Sequence, residues 1–121
     1  MTTISRSKDY GNSPKNKFAE DIVVALEVGD LEFLKPVLDS AFVWNMTSES
    51  ALDIVQFQNE ISSFPKPSKL DILHVITHRK SGAVNGVSNF SQGQKYFCHV
   101  IEFTNTKCNK IAAITSYAQG T

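Results

Sequence analysis

Very little in this chain is in excess. Its twelve basic and twelve acidic residues cancel to a formal charge of zero, so the basic surplus that a nucleic-acid-binding domain gathers on one face is missing. The densest basic run, His78-Arg79-Lys80, is flanked by neutral residues and reads as a solvated turn. No apolar stretch approaches the roughly 20 residues that cross a bilayer. The polar opening from Met1 to Ser13 also lacks the apolar segment of a secretory signal. A cytoplasmic protein is expected, with neither nucleic acid nor membrane as partner. There are only two cysteines. Cys98 lies in an apolar strand pattern and Cys108 in a polar turn, so reduced thiols are expected rather than a disulfide framework. Histidine is scarce too. His74 and His78 have the spacing of a helical zinc pair, but four residues on a strand span roughly 13 Å, too far for one ion. No metal site and no cofactor are expected.

What remains is ordinary for a globular protein: 41% hydrophobic and 20% charged residues over 121 positions, room for one core and one domain. Residues 1–12, rich in Ser, Thr, Lys and Asn, are expected to form a flexible tail, and residues 13–121 a single domain. Ser13-Pro14 is a helix start, a capping residue followed by a proline suited to the first turn. Phe18, Ile22, Ala25 and Leu26 follow at helical spacing, and Gly29 is placed to end the helix. Asp30 can cap a short second helix that Pro36 limits. A third helix is expected after Ser50, with Asp53 completing a capping box and Pro65 and Pro67 stopping it.

Ala41 to Met46 reads as a short strand. Four long strands are then expected, Lys69 to His78, Ala83 to Phe90, Tyr96 to Asn105 and Lys110 to Tyr117, each rich in β-branched or aromatic residues. The polar separators between them are short, which makes antiparallel hairpins. Asn85-Gly86 could itself be a turn, but that placement leaves the next strand too short, so Gly86 is read as a bend or bulge within a strand. Helices segregated to one side of such a meander form an α+β layer. Strands apolar on both faces, as Tyr96 to Phe103 is, imply that the outer face is covered as well.

This order, together with Gly29-Asp30, Phe42-Val43-Trp44-Asn45, Gly82-Ala83-Val84-Asn85-Gly86 and the run from Ile111 through Ile114 to Ser116-Tyr117, resembles the nuclear transport factor 2-like superfamily. It is most similar to the small bacterial members grouped with the SnoaL-like polyketide cyclases and ketosteroid isomerases. The resemblance implies a cone-shaped α+β barrel, three N-terminal helices packed on a curved, mostly antiparallel sheet, with a pocket between them. It also implies a homodimer packed through the outer sheet face. It does not imply one activity, because the superfamily holds isomerases, dehydratases, cyclases and binding proteins. The aspartate base of the isomerases is matched by Asn45, an amide that takes no proton at neutral pH. The position of their tyrosine is matched by Phe18 or Ile22.

The candidate ligand-binding residues are Phe18, Ile22, Trp44, Asn45, Asn85, His99 and Ser116. Alternation places Phe97, His99, Ile101 and Phe103 on one strand face, opposite Tyr96, Cys98, Val100 and Glu102. If that face is concave, His99 points into the pocket and is the candidate catalytic base; the alternative is a histidine held at a sheet or dimer surface. Asn85 is either a pocket amide or a local backbone partner beside Gly86, Ser116 a pocket hydroxyl or a small packing residue, and Trp44 a pocket wall or an edge plug. A nucleophilic serine needs a base within hydrogen-bond reach, which the sequence does not offer in recognisable form. Three functions fit: a pocket for a small, mostly apolar molecule; an enzyme of isomerase, dehydratase or cyclase type with His99 as general base; and a dimeric interaction module with a vestigial pocket.

Overall fold

Ser13 opens the first helix by accepting a hydrogen bond from the Asn16 amide at 3.2 Å, and Gly29, at φ 77°, closes it in the left-handed conformation. This helix is α1, Pro14–Val28, in a computed structural model that describes residues 2–8, 13–46 and 49–120. Asp30 caps α2, Leu31–Leu34, and a 3₁₀ turn over Lys35–Val37 leads into β2, Leu38–Met46. The strand begins three residues earlier than its β-rich run suggests. β3, Glu49–Leu52, occupies the segment expected to start the third helix. That helix, α3, is Ile54–Ser63, and its cap is Asp53 rather than Ser50. The correction has a local cause. The Asp53 carboxylate accepts from the Gln56 amide at 2.9 Å and the Gln56 side chain accepts from the Asp53 amide at 3.0 Å, so the capping box closes one turn later than expected.

Four strands follow in a meander: β4 Lys69–His78, β5 Ser81–Phe90, β6 Gly93–Phe103 and β7 Ile111–Gly120. β2 returns beside β7 in parallel and β3 pairs with β2. Residues 3–5, expected in a tail, form β1 (Thr3–Ser5), which pairs in parallel with Lys69–Asp71. An edge strand of three residues is held through its backbone, so polar composition does not betray it. Residues 9–12 lie outside the described residues. Among the described residues the sheet has seven strands, in the order β1-β4-β5-β6-β7-β2-β3. It curls without closing, and the helices pack on one face, an α+β cone.

Gly86 shows how tightly that curl is built. A Cβ there would stand 2.2 Å from the Asp71 carbonyl oxygen and 2.8 Å from Cζ of Phe97. Opposite it, the β4–β5 register slips between Ile72 and His74. The irregularity thus belongs to β4, and glycine is required on β5 because two neighbours already fill the space.

On β6 the faces separate as alternation demands. Phe97, His99, Ile101 and Phe103 are buried under the helices, while Tyr96 and Glu102 are exposed behind the sheet. α1 runs along β4 and β5, its start tied to β4 by the Asn16–Thr77 hydrogen bond and its end to β5 by Glu27 and Ser88. Ile22, Val23, Phe42, Phe57, Ile61, Ile101 and Ile114 form the centre of the core. Among the described residues no helix is long and apolar enough to cross a membrane.

Candidate functional site

The core fills the space beneath most of α1, but at the last turn of that helix the packing opens into a cavity of about 450 Å³. Its walls are Leu26 and Glu27 of α1, Trp44 and Met46 of β2, Ile61, Phe64 and Pro65 at the end of α3, Phe90 of β5, Lys95 and His99 of β6, and Ser116 and Ala118 of β7. A wider, open groove lined by Ile4, Val28, Asp30, Lys66 and the β5–β6 turn shares Pro65 and Phe90 with it. The groove is broad and open, whereas the cavity gathers Glu27, Lys95, His99 and Ser116 in mutual hydrogen-bonding contact, so the cavity is where chemistry can be directed.

Each polar member of that cluster has its place for a structural reason. His99 and Ser116 are cross-strand partners on β6 and β7, and Trp44 lies two residues before Met46, the β2 partner of Ser116, and so on the same face. The geometry is a chain of hydrogen bonds. Trp44 Nε1 donates to Ser116 Oγ at 2.7 Å, Ser116 Oγ lies 2.7 Å from His99 Nδ1, and His99 Nε2 lies 2.6 Å from Glu27 Oε2. The second Glu27 oxygen accepts from Lys95 Nζ at 2.7 Å and from Ser88 Oγ at 2.9 Å. Phe97 stacks on the His99 ring with centroids 5.2 Å apart, and Phe57 meets the Trp44 ring edge-on at 5.0 Å.

Burial alone would push the Glu27 carboxyl up. The hydrogen bond and electrostatic pull of His99, then those of Lys95, outweigh burial and hold it at about 2. Glu27 is therefore ionised at neutral pH and can only accept hydrogen bonds, which places a hydrogen on His99 Nε2. The arrangement is a carboxylate-oriented imidazole that meets a hydroxyl on the cavity wall. It supplies the base within reach of Ser116 that the sequence did not reveal.

Of the seven sequence candidates, the structure brings Trp44, His99 and Ser116 together. The other four lie elsewhere. Asn45 pairs with Thr115 and Asn85 with Cys98, which puts both on the outer face, one residue out of phase with Trp44 and Val84. The match of Asn45 to an isomerase base therefore fails on geometry as well as chemistry. Ile22 is wholly buried in the core. Phe18 stacks on Phe103 at 6.1 Å near the start of α1, away from the cavity. Only the last turn of the helix reaches the hollow.

Glu27, Lys95 and Ser88 went unnoticed in the sequence. Two of them left a signal. Glu27 stands on the helix stripe of Glu20, Val23 and Val24, where a carboxylate among buried positions demands partners. Lys95 alternates onto the face of Phe97 and His99. Among the described residues no group of three or more His, Cys, Asp or Glu could hold a metal ion.

No protein-family model matches the sequence, and no curated protein does. Solved structures do. A nuclear transport factor 2-like protein of unknown function from Burkholderia xenovorans superposes with a TM-score of 0.72 at 17% identity, over 87% of this chain and 83% of its own. An LEH-like epoxide hydrolase of M. tuberculosis gives 0.62 at 13% identity, over 87% and 82%. A de novo designed protein with a curved β-sheet gives 0.70 at 14% identity, over 90% and 88%. The chain has the nuclear transport factor 2-like fold. That a designed protein shares it shows how little the fold itself says about activity.

Proposed function

We propose that this protein binds a small, mostly apolar molecule in the cavity at the end of α1, with the polar end of the ligand held at Ser116. The observation that carries this reading is the make-up of the walls: apolar side chains on most sides and one gathered polar cluster, in a volume of about 450 Å³, within the range of small-molecule sites. Trp44 is the chain's only tryptophan and forms part of the wall, so its fluorescence reports occupancy directly. Protein purified from cells should carry one organic molecule, seen by native mass spectrometry and as density against Trp44 in a crystal. A crystal structure with the hollow filled by side chains would end this reading.

One contact favours an enzyme of isomerase, dehydratase or cyclase type on the same site. Glu27 at 2.6 Å from His99 Nε2 is the orienting partner that a general base needs. On that reading His99→Ala lowers turnover by about 10²–10⁴-fold while the protein stays folded; unchanged turnover removes it. We also propose a homodimer through the outer sheet face, where Ile76, Tyr96 and Tyr117 are exposed, an apolar area that a second copy would cover. The same face would serve an interaction module. Sedimentation as a stable monomer would defeat the dimer.

A further inference from the structure

The hydroxyl of Ser116 has one hydrogen and two acceptor lone pairs, and its neighbours already claim most of them. Trp44 Nε1 can only donate, so it takes one lone pair at 2.7 Å. Glu27, as a carboxylate, takes the hydrogen on His99 Nε2 at 2.6 Å. The 2.7 Å contact between Ser116 Oγ and His99 Nδ1 then has two solutions. With a neutral imidazole, Nδ1 is bare, Ser116 donates to it, and the remaining lone pair of Ser116 faces the cavity as an acceptor. With a protonated imidazole, Nδ1–H fills that lone pair, and the Ser116 hydrogen turns to the cavity as a donor. Both ring nitrogens of His99 are engaged in either case, so their hydrogen bonding reaches a ligand only through Ser116.

We propose that Ser116, set by the protonation state of His99, selects the polar group of the ligand: only a donor such as an alcohol or phenol hydroxyl when His99 is neutral, and any acceptor oxygen, carbonyl or hydroxyl, when it is charged. This rests on the cavity-binding reading above. The charged groups that face His99 are Glu27 from α1 and, through it, Lys95 from β6. The neighbouring strands contribute the uncharged Trp44, Ser88 and Ser116, and α3 contributes Ile61. With His99 neutral, Glu27 and Lys95 cancel and a neutral ligand suits the site, since an unpaired charge in an apolar hollow is costly.

Three neutral probes of one shape test the proposal: 1-indanol, 1-indanone and 1-methylindane, titrated against Trp44 fluorescence at about pH 8 and about pH 5. At the higher pH indanol should bind about tenfold more tightly than indanone, the worth of one hydrogen bond made against one refused; at the lower pH, where either oxygen can accept from Ser116, the gap should close to within about twofold. In Ser116→Ala the two should agree within about twofold at both pH values, with methylindane bound as in the parent. Nitrogen-15 NMR of His99 in the parent protein gives a second reading that needs no variant: a bare Nδ1 and a protonated Nε2 at the higher pH. Equal binding of alcohol and ketone at the higher pH while methylindane binds, the same preference for the alcohol at both pH values, or a hydrogen on Nδ1 at the higher pH would overturn the selection rule and leave the cavity reading standing. If none of the three probes binds, the cavity reading falls, and this inference with it.

Discussion

Glu20 and Glu27 lie two turns apart on one stripe of α1, and both are buried, yet they are held in different ways. Glu20 is closed over by the N-terminal segment, accepting from the Ser7 hydroxyl and amide, with Arg6 at 3.8 Å. Glu27 faces a cavity and takes His99, Lys95 and Ser88 from two strands. The first carboxylate fastens an arm to the domain. The second organises side chains that a ligand can touch. Burial of an acid is thus no measure of its role; what matters is whether its partners end in solvent, in the chain, or in a hollow.

The contrast is broken most severely by removing Glu27. Glu27→Ala strands a buried imidazole and a serine, and should cost about 3 kcal/mol, the low end for breaking a buried pair, because Lys95 can turn to water. Urea unfolding measures it. The same carboxylate sets an acid limb. Its folded value of about 2 lies below its ordinary 4.5, so its contribution is present above pH 4.5 and is lost as pH falls from there towards 2. At about 1.4 kcal/mol per pH unit, the gap corresponds to about 3 kcal/mol. Urea midpoints followed from neutral pH into this window should fall in the parent, and the fall should be shallower in Glu27→Gln. An identical slope in the two proteins would mean that Glu27 gains nothing from its partners.

A smaller effect is expected on the other side of the comparison. Glu20→Gln keeps one acceptor for Ser7 and loses the other, at about 1 kcal/mol. The loss should appear locally. Amide exchange of Ile4 and Ser5 in β1 should quicken, while probe binding in the cavity stays as in the parent. A change in cavity affinity would show the two carboxylates to be coupled along the helix.

The sequence showed the fold more fully than the site, and the reason is periodicity. Helix caps at Ser13 and Gly29 and the alternation of Phe97 to Phe103 are local patterns, and the structure follows them. Face assignment needs register as well. Alternation alone left open which of Trp44 and Asn45 turns inward and whether Asn85 does, because a slip in register reverses a face assignment; the pairings of Asn45 with Thr115 and Asn85 with Cys98 put both on the outer face. The His99–Ser116 contact depends on a hairpin register that joins residues 17 apart. The His99–Glu27 contact spans 72 residues and brings a helix to a strand, a juxtaposition that no short spacing encodes.

Lys95→Met is the finest cut through the comparison and should have the smallest effect. Its ammonium lies 2.7 Å from Glu27 Oε1, but its side chain is 32% exposed, so water already screens the pair. Methionine retains the apolar stem, and Glu27 keeps His99 and Ser88. The expected cost is about 0.5–1 kcal/mol, read from urea midpoints. The order of alcohol and ketone binding should be unchanged, because Lys95 acts on Glu27 and not on Ser116. If instead this variant were as unstable as Glu27→Ala, charge pairing rather than hydrogen bonding would hold the cluster together, and Glu27 would differ from Glu20 mainly in how close its cation stands, 2.7 Å for Lys95 against 3.8 Å for Arg6.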